Sequence, residues 1–258
     1  MDAPDLGRMA PYGAAHLAAL AVIAAAVALA VIAGRRMRGT PRETALTRGL
    51  GWSMLALTVA WTAWGFLPQT WDVEQSLPFH FSDALRIITA VALITRSGWA
   101  VALSYFWGLT LNTQAILTPD LVYLTHPGLE YAAYWVLHAI ALIAPVLLVW
   151  GLGYRPTWRG YAVSFAATLL WALVAMTANA LTGANYAYVS RAPEGPSILD
   201  LLGGWPLYLL WEAVLIALVW ALMTWPHTVL ARRRGEDALG AGGLVTRAPL
   251  RPGHPPGR

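Results

Sequence analysis

Long apolar blocks separated by short polar joints constrain this chain more than any other feature. The chain has 258 residues, of which 58% are hydrophobic and only 12% are charged, whereas a soluble domain carries about 25% charged residues. The apolar blocks are about twenty residues long, which is the length an α-helix needs to cross roughly 30 Å of hydrocarbon. The sequence therefore predicts an all-α, polytopic membrane protein, located in the cell membrane.

Hydropathy predicts a bundle of seven transmembrane helices. The predicted spans cover residues 14–33, 49–67, 79–95, 99–117, 129–151, 160–183 and 205–225. Proline, glycine or charged residues occupy the joints, as is typical of loops. We assign residues 1–13 to a short extracytoplasmic N-terminus, residues 14–230 to the membrane domain, and residues 231–258, rich in glycine and proline, to a disordered cytoplasmic tail.

The arginine residues predict the orientation. All 17 basic residues are arginine, and those outside the spans concentrate after spans one, three, five and seven. On the opposite side only Arg8 and Arg191 occur, among several acidic residues. Because loops rich in basic residues stay in the cytoplasm, we expect the N-terminus outside and the C-terminus inside.

The residue types that are missing exclude several kinds of chemistry. The chain has no lysine, which excludes a retinal Schiff base and catalysis by a lysine amine. It has no cysteine, which excludes disulfides, thiolate metal sites and a cysteine nucleophile. The arginine residues lie at the ends of the spans, so membrane topology explains them better than nucleic-acid binding does. We expect no nucleic-acid partner. We also expect no cofactor.

Polar residues within the predicted spans gather in their outer halves. The stretch LPFHFSDALR places His80, Ser82, Asp83 and Arg86 at the start of span three. At similar depth, the other spans contribute His16, Asn112, Gln114, His138, Asn179 and Glu212. Ionisable groups in hydrocarbon are costly and normally face the bundle interior or a water-filled cavity. The sequence therefore predicts a polar pocket that opens to the extracytoplasmic side.

Helical spacing predicts two polar and aromatic stripes that face this pocket. Tyr131, Tyr134 and His138 share one face of span five, and Trp205, Tyr208 and Glu212 repeat the same spacing in span seven.

Each of these residues also has a purely structural explanation. Asp83 and Arg86 stand three residues apart, so they can form an ion pair that lets both tolerate low dielectric. His138 can be a hydrogen-bonded packing residue, and His16 lies near enough to the interface to snorkel. Glu212 needs a partner or a proton at its depth.

The polar residues suggest two kinds of catalytic site. Ser82 carries the hydroxyl that acyl transfer needs, and His80 or His138 could take its proton, although no G-x-S-x-G pattern occurs. His16, His80, His138, Asp83 and Glu212 could in principle bind zinc. No H-x-x-x-H or H-E-x-x-H pair is present to hold a metal on one helix face, so we predict no metal site.

Five stretches, taken in order, resemble the YwaF-like family of bacterial integral membrane proteins from about residue 14 to residue 225. They are LPFHFSD, LSYFWGLTLNTQAILTPDL, YWVLHAIALIAPVLL, TGANYAYV and LLGGWPLYLLWE. The first span of that family tends to begin with a histidine, which His16 matches here. The family resembles a eukaryotic transmembrane acyltransferase that remodels ether phospholipids with a cysteine and a histidine. It also resembles, more distantly, the androgen-induced membrane hydrolases of fatty-acid esters, which use a threonine and a histidine.

The resemblance implies a role for His138, which best matches the family's histidine. This chain departs from the pattern at the nucleophile. Phe79 occupies the place of the acyltransferase cysteine, and Ser82 stands where bacterial relatives often have cysteine. The resemblance therefore implies a histidine-dependent chemistry that cannot use a thiol.

We expect lipid-directed acyl transfer or ester hydrolysis, with membrane lipid as both solvent and possible substrate. His138 would be the general base and Ser82 the candidate nucleophile, while Asp83 and Arg86 would position His80 or a lipid headgroup. Amide side chains could polarise a carbonyl. The candidate substrate-binding residues are Arg86, Asn112, Gln114, Tyr134, Asn179, Tyr208, Glu212 and His16.

Two alternatives remain open at this point. A non-catalytic binder or transporter would hold an anionic lipid headgroup or a small solute at Arg86. A purely structural or assembly protein would have no pocket at all.

Overall fold

Helices form nearly all the regular structure of this chain. The computed structural model describes residues 7–192, 201–233 and 243–249, without the side chains of residues 232 and 233. The helices are α1 (Ala14–Met37), α2 (Pro41–Gly65), α3 (Val73–Ser76), α4 (Phe81–Thr95), α5 (Gly98–Leu109), α6 (Leu111–Leu117), α7 (Pro127–Val146), α8 (Trp158–Thr182) and α9 (Leu207–Arg233). Two short strands, β1 (Tyr154–Pro156) and β2 (Val245–Arg247), pair antiparallel.

Five segments in the described ranges are long and apolar enough to cross a membrane. They are Ala14–Met37, Val73–Thr95, Pro127–Gly151, Trp158–Thr182 and Leu207–Ala231. The prediction of an all-α membrane protein is confirmed at this level, but the count of seven spans is not. The predicted orientation stays a prediction.

Two predicted spans differ from the structure for identifiable reasons. The apolar part of α2 follows Arg42, Glu43 and Arg48, which occupy the first turns of the helix. The fourth predicted span is broken at Thr110 into α5, of 12 residues, and α6, of seven. Helix α5 is buried continuously from Ala100 to Gly108. Its 12 residues are too few to cross the hydrocarbon alone, and other parts of the protein surround it.

Local sequence explains where several helices begin and end. Pro41 and Pro127 occupy the first turns of α2 and α7, where a missing backbone N–H costs nothing. Pro145 lies inside α7 and is followed by the π-helical turn Leu147–Gly151, as expected where proline removes a helical hydrogen bond. Gly183 ends α8 with φ +78°, a conformation that glycine adopts without strain.

The helices define two ends of the bundle. The cavity end carries residues 7–12, the segment 66–80 with the short helix α3, the loop 118–126 and the turn 183–192. The tail end carries the α1–α2 and α4–α5 connections together with β1 and β2.

Residues 243–249, which lie within the predicted tail, dock on the tail end. Residues 231–233 continue α9, and residues 245–247 form β2, while residues 234–242 and 250–258 lie outside the described residues. Besides its pairing with β1, this segment donates two hydrogen bonds from Arg247 to the Glu43 carboxylate, of 2.6 and 2.7 Å. Arg38 donates to the backbone oxygen of Ala248. The sequence does not predict this strand, because three residues are too few to show a period and the residues before it are rich in glycine.

Gly160 provides the seat for the docked segment, since a Cβ atom there would overlap the Leu244 carbonyl oxygen. We expect Gly160→Ala to displace residues 243–249. Tryptic cleavage after Arg247 should then rise about tenfold, because proteolysis follows the population of the open form. Mass spectrometry of timed digests measures that bond separately from other arginine sites. Gly49→Ala, where the new Cβ meets no atom within 4 Å, should leave the cleavage rate unchanged.

Candidate functional site

A cavity of about 650 Å³ lies at the cavity end, between α2, α4, α5, α6, α7 and α9. Nine of the twelve site residues predicted from the sequence line it: His80, Ser82, Asp83, Arg86, Asn112, Gln114, Tyr134, His138 and Glu212. The alternative of a structural protein expects no pocket, and the cavity argues against it. The functional roles of these nine residues stay predictions.

Arg86 and Asp83 form an ion pair in the cavity wall. Arg86 Nη1 lies 3.0 Å from Asp83 Oδ1, and the two side chains are 9% and 17% exposed. The other carboxylate oxygen of Asp83 accepts a hydrogen bond from the backbone N–H of His80 at the start of α4. Arg86 Nε is buried without a hydrogen-bond partner among the described residues. The guanidinium group is therefore fixed by Asp83 and still has donors to offer.

His138 is buried, and its hydrogen bond defines its tautomer. Its Nδ1 lies 2.8 Å from the backbone oxygen of Tyr134, and a carbonyl oxygen can only accept, so Nδ1 carries a proton. In neutral imidazole the other nitrogen, Nε2, then has the lone pair. The Tyr134 ring lies 4.1 Å from the His138 ring, centroid to centroid. His138 thus presents the form that a general base requires.

His80 has both ring nitrogens engaged in holding the backbone. Nε2 donates to the backbone oxygen of Glu74 at 2.9 Å, and Nδ1 accepts from the Ala187 N–H at 3.3 Å. Although His80 borders the cavity, it has no free nitrogen for proton transfer. Of the two candidate histidines, His138 is therefore the one whose geometry fits a base.

Ser82 borders the cavity in the first turn of α4. Among the described residues, its hydroxyl has no hydrogen bond to His80, His138 or any other group. A serine–histidine pair is therefore not assembled in this structure, and Ser82 remains a candidate through its position alone.

Three predicted site residues do not line the cavity. His16 is fully buried, donates from Nε2 to the Ile116 backbone oxygen and accepts at Nδ1 from the Tyr12 N–H. Asn179 bonds both backbone groups of Tyr186, and Tyr208 donates to the backbone oxygen of Tyr188. All three hold backbone groups at the cavity end. The depth of a polar residue in its helix does not show whether it binds backbone in this way or binds a ligand.

The remaining predicted residues differ in how they are held. Asn112 donates to the backbone oxygen of His138 at 3.0 Å, and Tyr134 donates to that of Ala115 at 2.7 Å. These bonds tie α6 to α7 beside the base. Gln114 and Glu212 line the cavity, and neither side chain has a hydrogen-bond partner among the described residues.

Sequence reasoning missed a polar group in the lining of the cavity. Arg8 lies 2.6 Å from Asp120 Oδ1, and the Tyr188 hydroxyl donates to Asp120 Oδ2 at 2.8 Å. All three residues line the cavity. Tyr188 and Asp120 lie in TGANYAYV and TPDL, two stretches that carry the resemblance described above. Because both lie in loops, an assessment restricted to the spans could not select them.

The described residues were also considered as metal ligands. Across residues 7–192, 201–233 and 243–249, no three His, Asp or Glu side chains come together in a way that could hold a metal ion.

Comparison with known proteins relates most of the chain to a membrane family. The sequence profile of the TMEM164 family matches residues 11–224. An uncharacterized protein of Treponema pallidum (strain Nichols) is 29% identical over 189 residues, which cover 73% of this chain and 78% of that protein. No solved structure matches.

Proposed function

Since the chain belongs to the TMEM164 family of multi-pass membrane proteins, we propose that its cavity receives a membrane lipid whose acyl ester reacts with the help of His138. The reaction class is acyl transfer or ester hydrolysis. The observation that carries the proposal is the tautomer of His138, whose Nδ1–H is committed to Tyr134 and whose Nε2 lone pair remains available.

The chemistry requires one proton to move through His138. Nε2 takes the proton from an attacking hydroxyl, whose oxygen bonds to the ester carbonyl carbon. When the ester C–O bond breaks, the leaving oxygen receives the same proton from His138. The Nδ1–H bond to Tyr134 keeps the ring oriented through both steps. Gln114 lines the cavity, and its amide donors have no partner among the described residues. It is therefore a candidate to polarise the ester carbonyl by donating a hydrogen bond to its oxygen.

The attacking hydroxyl belongs to Ser82 or to a molecule that enters the cavity. Ser82 shares the cavity with His138, and its use as the nucleophile requires the two side chains to move into contact. A water or a lipid alcohol needs no such change. The two routes differ in whether Ser82→Ala abolishes the reaction.

A second candidate function rests on a different observation. Arg86 is more than nine-tenths buried, and its Nε has no partner among the described residues. An unsatisfied buried donor is costly. The Arg86 side chain also lines the cavity, where an anionic oxygen of a headgroup or a small solute would offset that cost by binding the guanidinium. A non-catalytic binder or transporter would need this feature and would not need the His138 base.

The proposed location is the cell membrane, with the cavity end outside. The arginine distribution supports this orientation, since the α1–α2 connection at the tail end carries a cluster of arginine residues. A lipid of the outer leaflet would then reach the cavity directly.

Lipidomics tests the proposal in cells that lack the protein and are restored with wild type, His138→Ala or Ser82→Ala. We expect wild type to change the acyl composition of at least one lipid class and His138→Ala to reduce that change at least 100-fold, the usual contribution of general-base catalysis. Ser82→Ala should fail equally if Ser82 is the nucleophile and should retain activity if another hydroxyl attacks.

Matched controls separate chemistry from folding. His227→Ala removes a histidine that packs on Tyr105 and Trp150 outside the cavity, and Ser53→Ala changes an exposed serine of α2. Both should behave as wild type at equal abundance. If wild type alters no lipid class, the catalytic proposal fails, and binding at Arg86 becomes the function to test.

A further inference from the structure

The turn Tyr186–Tyr188 at the cavity end has an unusual backbone. Ala187 and Tyr188 are consecutive, neither is glycine, and both have positive φ, of +56° and +54°. Non-glycine residues adopt this conformation at a cost, and it persists where the surroundings enforce it, often at functional sites. Two questions follow: which contacts hold this backbone conformation, and what function it serves.

Three side chains selected from the sequence supply the support. Asn179 accepts from the Tyr186 N–H at 2.7 Å and donates to the Tyr186 carbonyl at 3.1 Å. His80 Nδ1 accepts from the Ala187 N–H, and the Tyr208 hydroxyl donates to the Tyr188 carbonyl. The backbone groups of all three turn residues are thus bound by side chains from α8, the start of α4 and α9.

The turn presents Tyr188 to the cavity. The Tyr188 hydroxyl donates its only proton to Asp120 Oδ2, while Arg8 binds the other oxygen of that carboxylate. Burial, and then the negative charge of Asp120, raise the pKa of Tyr188 above its ordinary value, so the phenol keeps its proton. Toward a ligand, the phenolic oxygen can act only as a hydrogen-bond acceptor.

The charges around the cavity also favour a ligand that donates hydrogen bonds. Its lining contains two arginines and four acidic residues, namely Arg8, Arg86, Asp83, Asp120, Glu130 and Glu212. Asp83 pairs with Arg86 and Asp120 with Arg8, and loop N–H groups bind Glu130. Glu212 has no such partner among the described residues.

We propose that Tyr188 is a specificity-determining residue, whose phenolic oxygen accepts a hydrogen bond from a hydroxyl or ammonium group of the ligand. Asn179 and Tyr208 are positioning residues that act through it. The proposal rests on the proposed function only in that an amphiphile enters the cavity. In an acyl transfer, this contact would select a ligand with a free donor over one whose donor is blocked.

Two pairs of probes test the contact with the full-length protein in detergent micelles. 1-Oleoylglycerol is compared with its 2,3-di-O-methyl ether, and oleylammonium with its N-trimethylated form, so that each pair differs in donors and shares a chain. Binding is followed by fluorescence of the tryptophans, of which Trp61, Trp64 and Trp107 line the cavity. We expect wild type to bind the donor form of one pair about fivefold more tightly, the usual contribution of one hydrogen bond.

The variants decide whether Tyr188 is responsible. Tyr188→Phe keeps the ring and should bring the ratio of dissociation constants for that pair to about one. Tyr208→Phe should lower the ratio through the turn, while Tyr161→Phe, on a residue that does not line the cavity, should preserve it. The pair that responds identifies the donor as hydroxyl or ammonium.

Two results overturn the proposal: equal affinities within both pairs for wild type, or an unchanged ratio in Tyr188→Phe. The catalytic proposal fails separately, since His138→Ala should remove lipid turnover without changing the ratio. A ratio that depends on Tyr188 in a protein with no turnover would leave the ligand contact standing and reject the reaction.

Discussion

Arg247→Ala is expected to destabilise the protein by about 2 kcal/mol, because hydrogen bonds to a charged group contribute about 1.5–3 kcal/mol and the Arg247 side chain is itself 35% exposed. Glu43 has a side chain only 3% exposed and depends on Arg247 for two hydrogen bonds. Without them, the hydrogen bonds left to Glu43 among the described residues come from Arg96, at 3.2 Å, and the Gly39 N–H. Chemical unfolding in mixed micelles measures the change.

Arg247→Lys is the matched control, because it keeps the positive charge but replaces the guanidinium, whose Nη2 donates to both carboxylate oxygens, with an ammonium group on a different stem. Its free energy of unfolding should fall between those of wild type and Arg247→Ala. A loss below about 0.5 kcal/mol for Arg247→Ala would show that water replaces the guanidinium and that the docked segment contributes little.

The same pair predicts a dependence on pH. Burial raises the pKa of Glu43, but the Gly39 N–H and the guanidinium of Arg247 lower it more, so the carboxyl lies below its ordinary value of 4.5. Because the folded pKa is the lower one, the stabilisation is fully present above pH 4.5 and is lost as pH falls through the folded pKa. The difference between wild type and Arg247→Ala should therefore be constant at neutral pH and shrink below pH 4.5.

Asp83→Ala is expected to cost 3–5 kcal/mol or prevent folding, which is the second large effect. The substitution leaves the Arg86 guanidinium buried without its counter-charge. It also removes the acceptor of the His80 N–H at the start of α4, worth about 1 kcal/mol more. Abundance in membranes and unfolding in micelles report the loss.

A double variant separates charge from shape at this site. Asp83→Ala with Arg86→Met removes both charges, and since apolar replacement of a buried pair is often neutral, most of the lost stability should return. Asp83→Asn keeps one acceptor and should lie between Asp83→Ala and wild type. If Asp83→Ala unfolds like wild type, water in the cavity hydrates Arg86 and the ion pair is not structurally required.

The cavity could be anticipated from the sequence because of a simple physical rule. A charged or polar side chain inside an apolar helix must face other protein or water. Applied to Arg86, His138 and Glu212, which lie at similar depth in their helices, this rule predicts one shared cavity. It could not separate ligand-facing residues from those that bind loops. His16 and Asn179 satisfy the same rule by bonding backbone groups close to their own helices.

Loops and strands were the least predictable parts. The contact of Asp120 with Tyr188 joins residues 68 positions apart, and no periodicity connects them. Helix α5 is shorter than its predicted span because Thr110 ends it, with φ −121° and ψ −76°, a break that hydropathy does not register. The role of His80 depended on the conformation of Ala187, which its residue type does not suggest.

The position of β2 in the chain has a consequence for biosynthesis. Glu43, Arg38 and Thr157 meet their partners in residues 243–249, and these partners follow every helix in chain order. During translation, the five described segments that are long enough to span the membrane can insert while the buried carboxylate of Glu43 still lacks Arg247. Docking of β2 is therefore a late assembly step, and a ribosome that stalls after α9 would release a protein that is inserted but left open at one end for proteases to recognise.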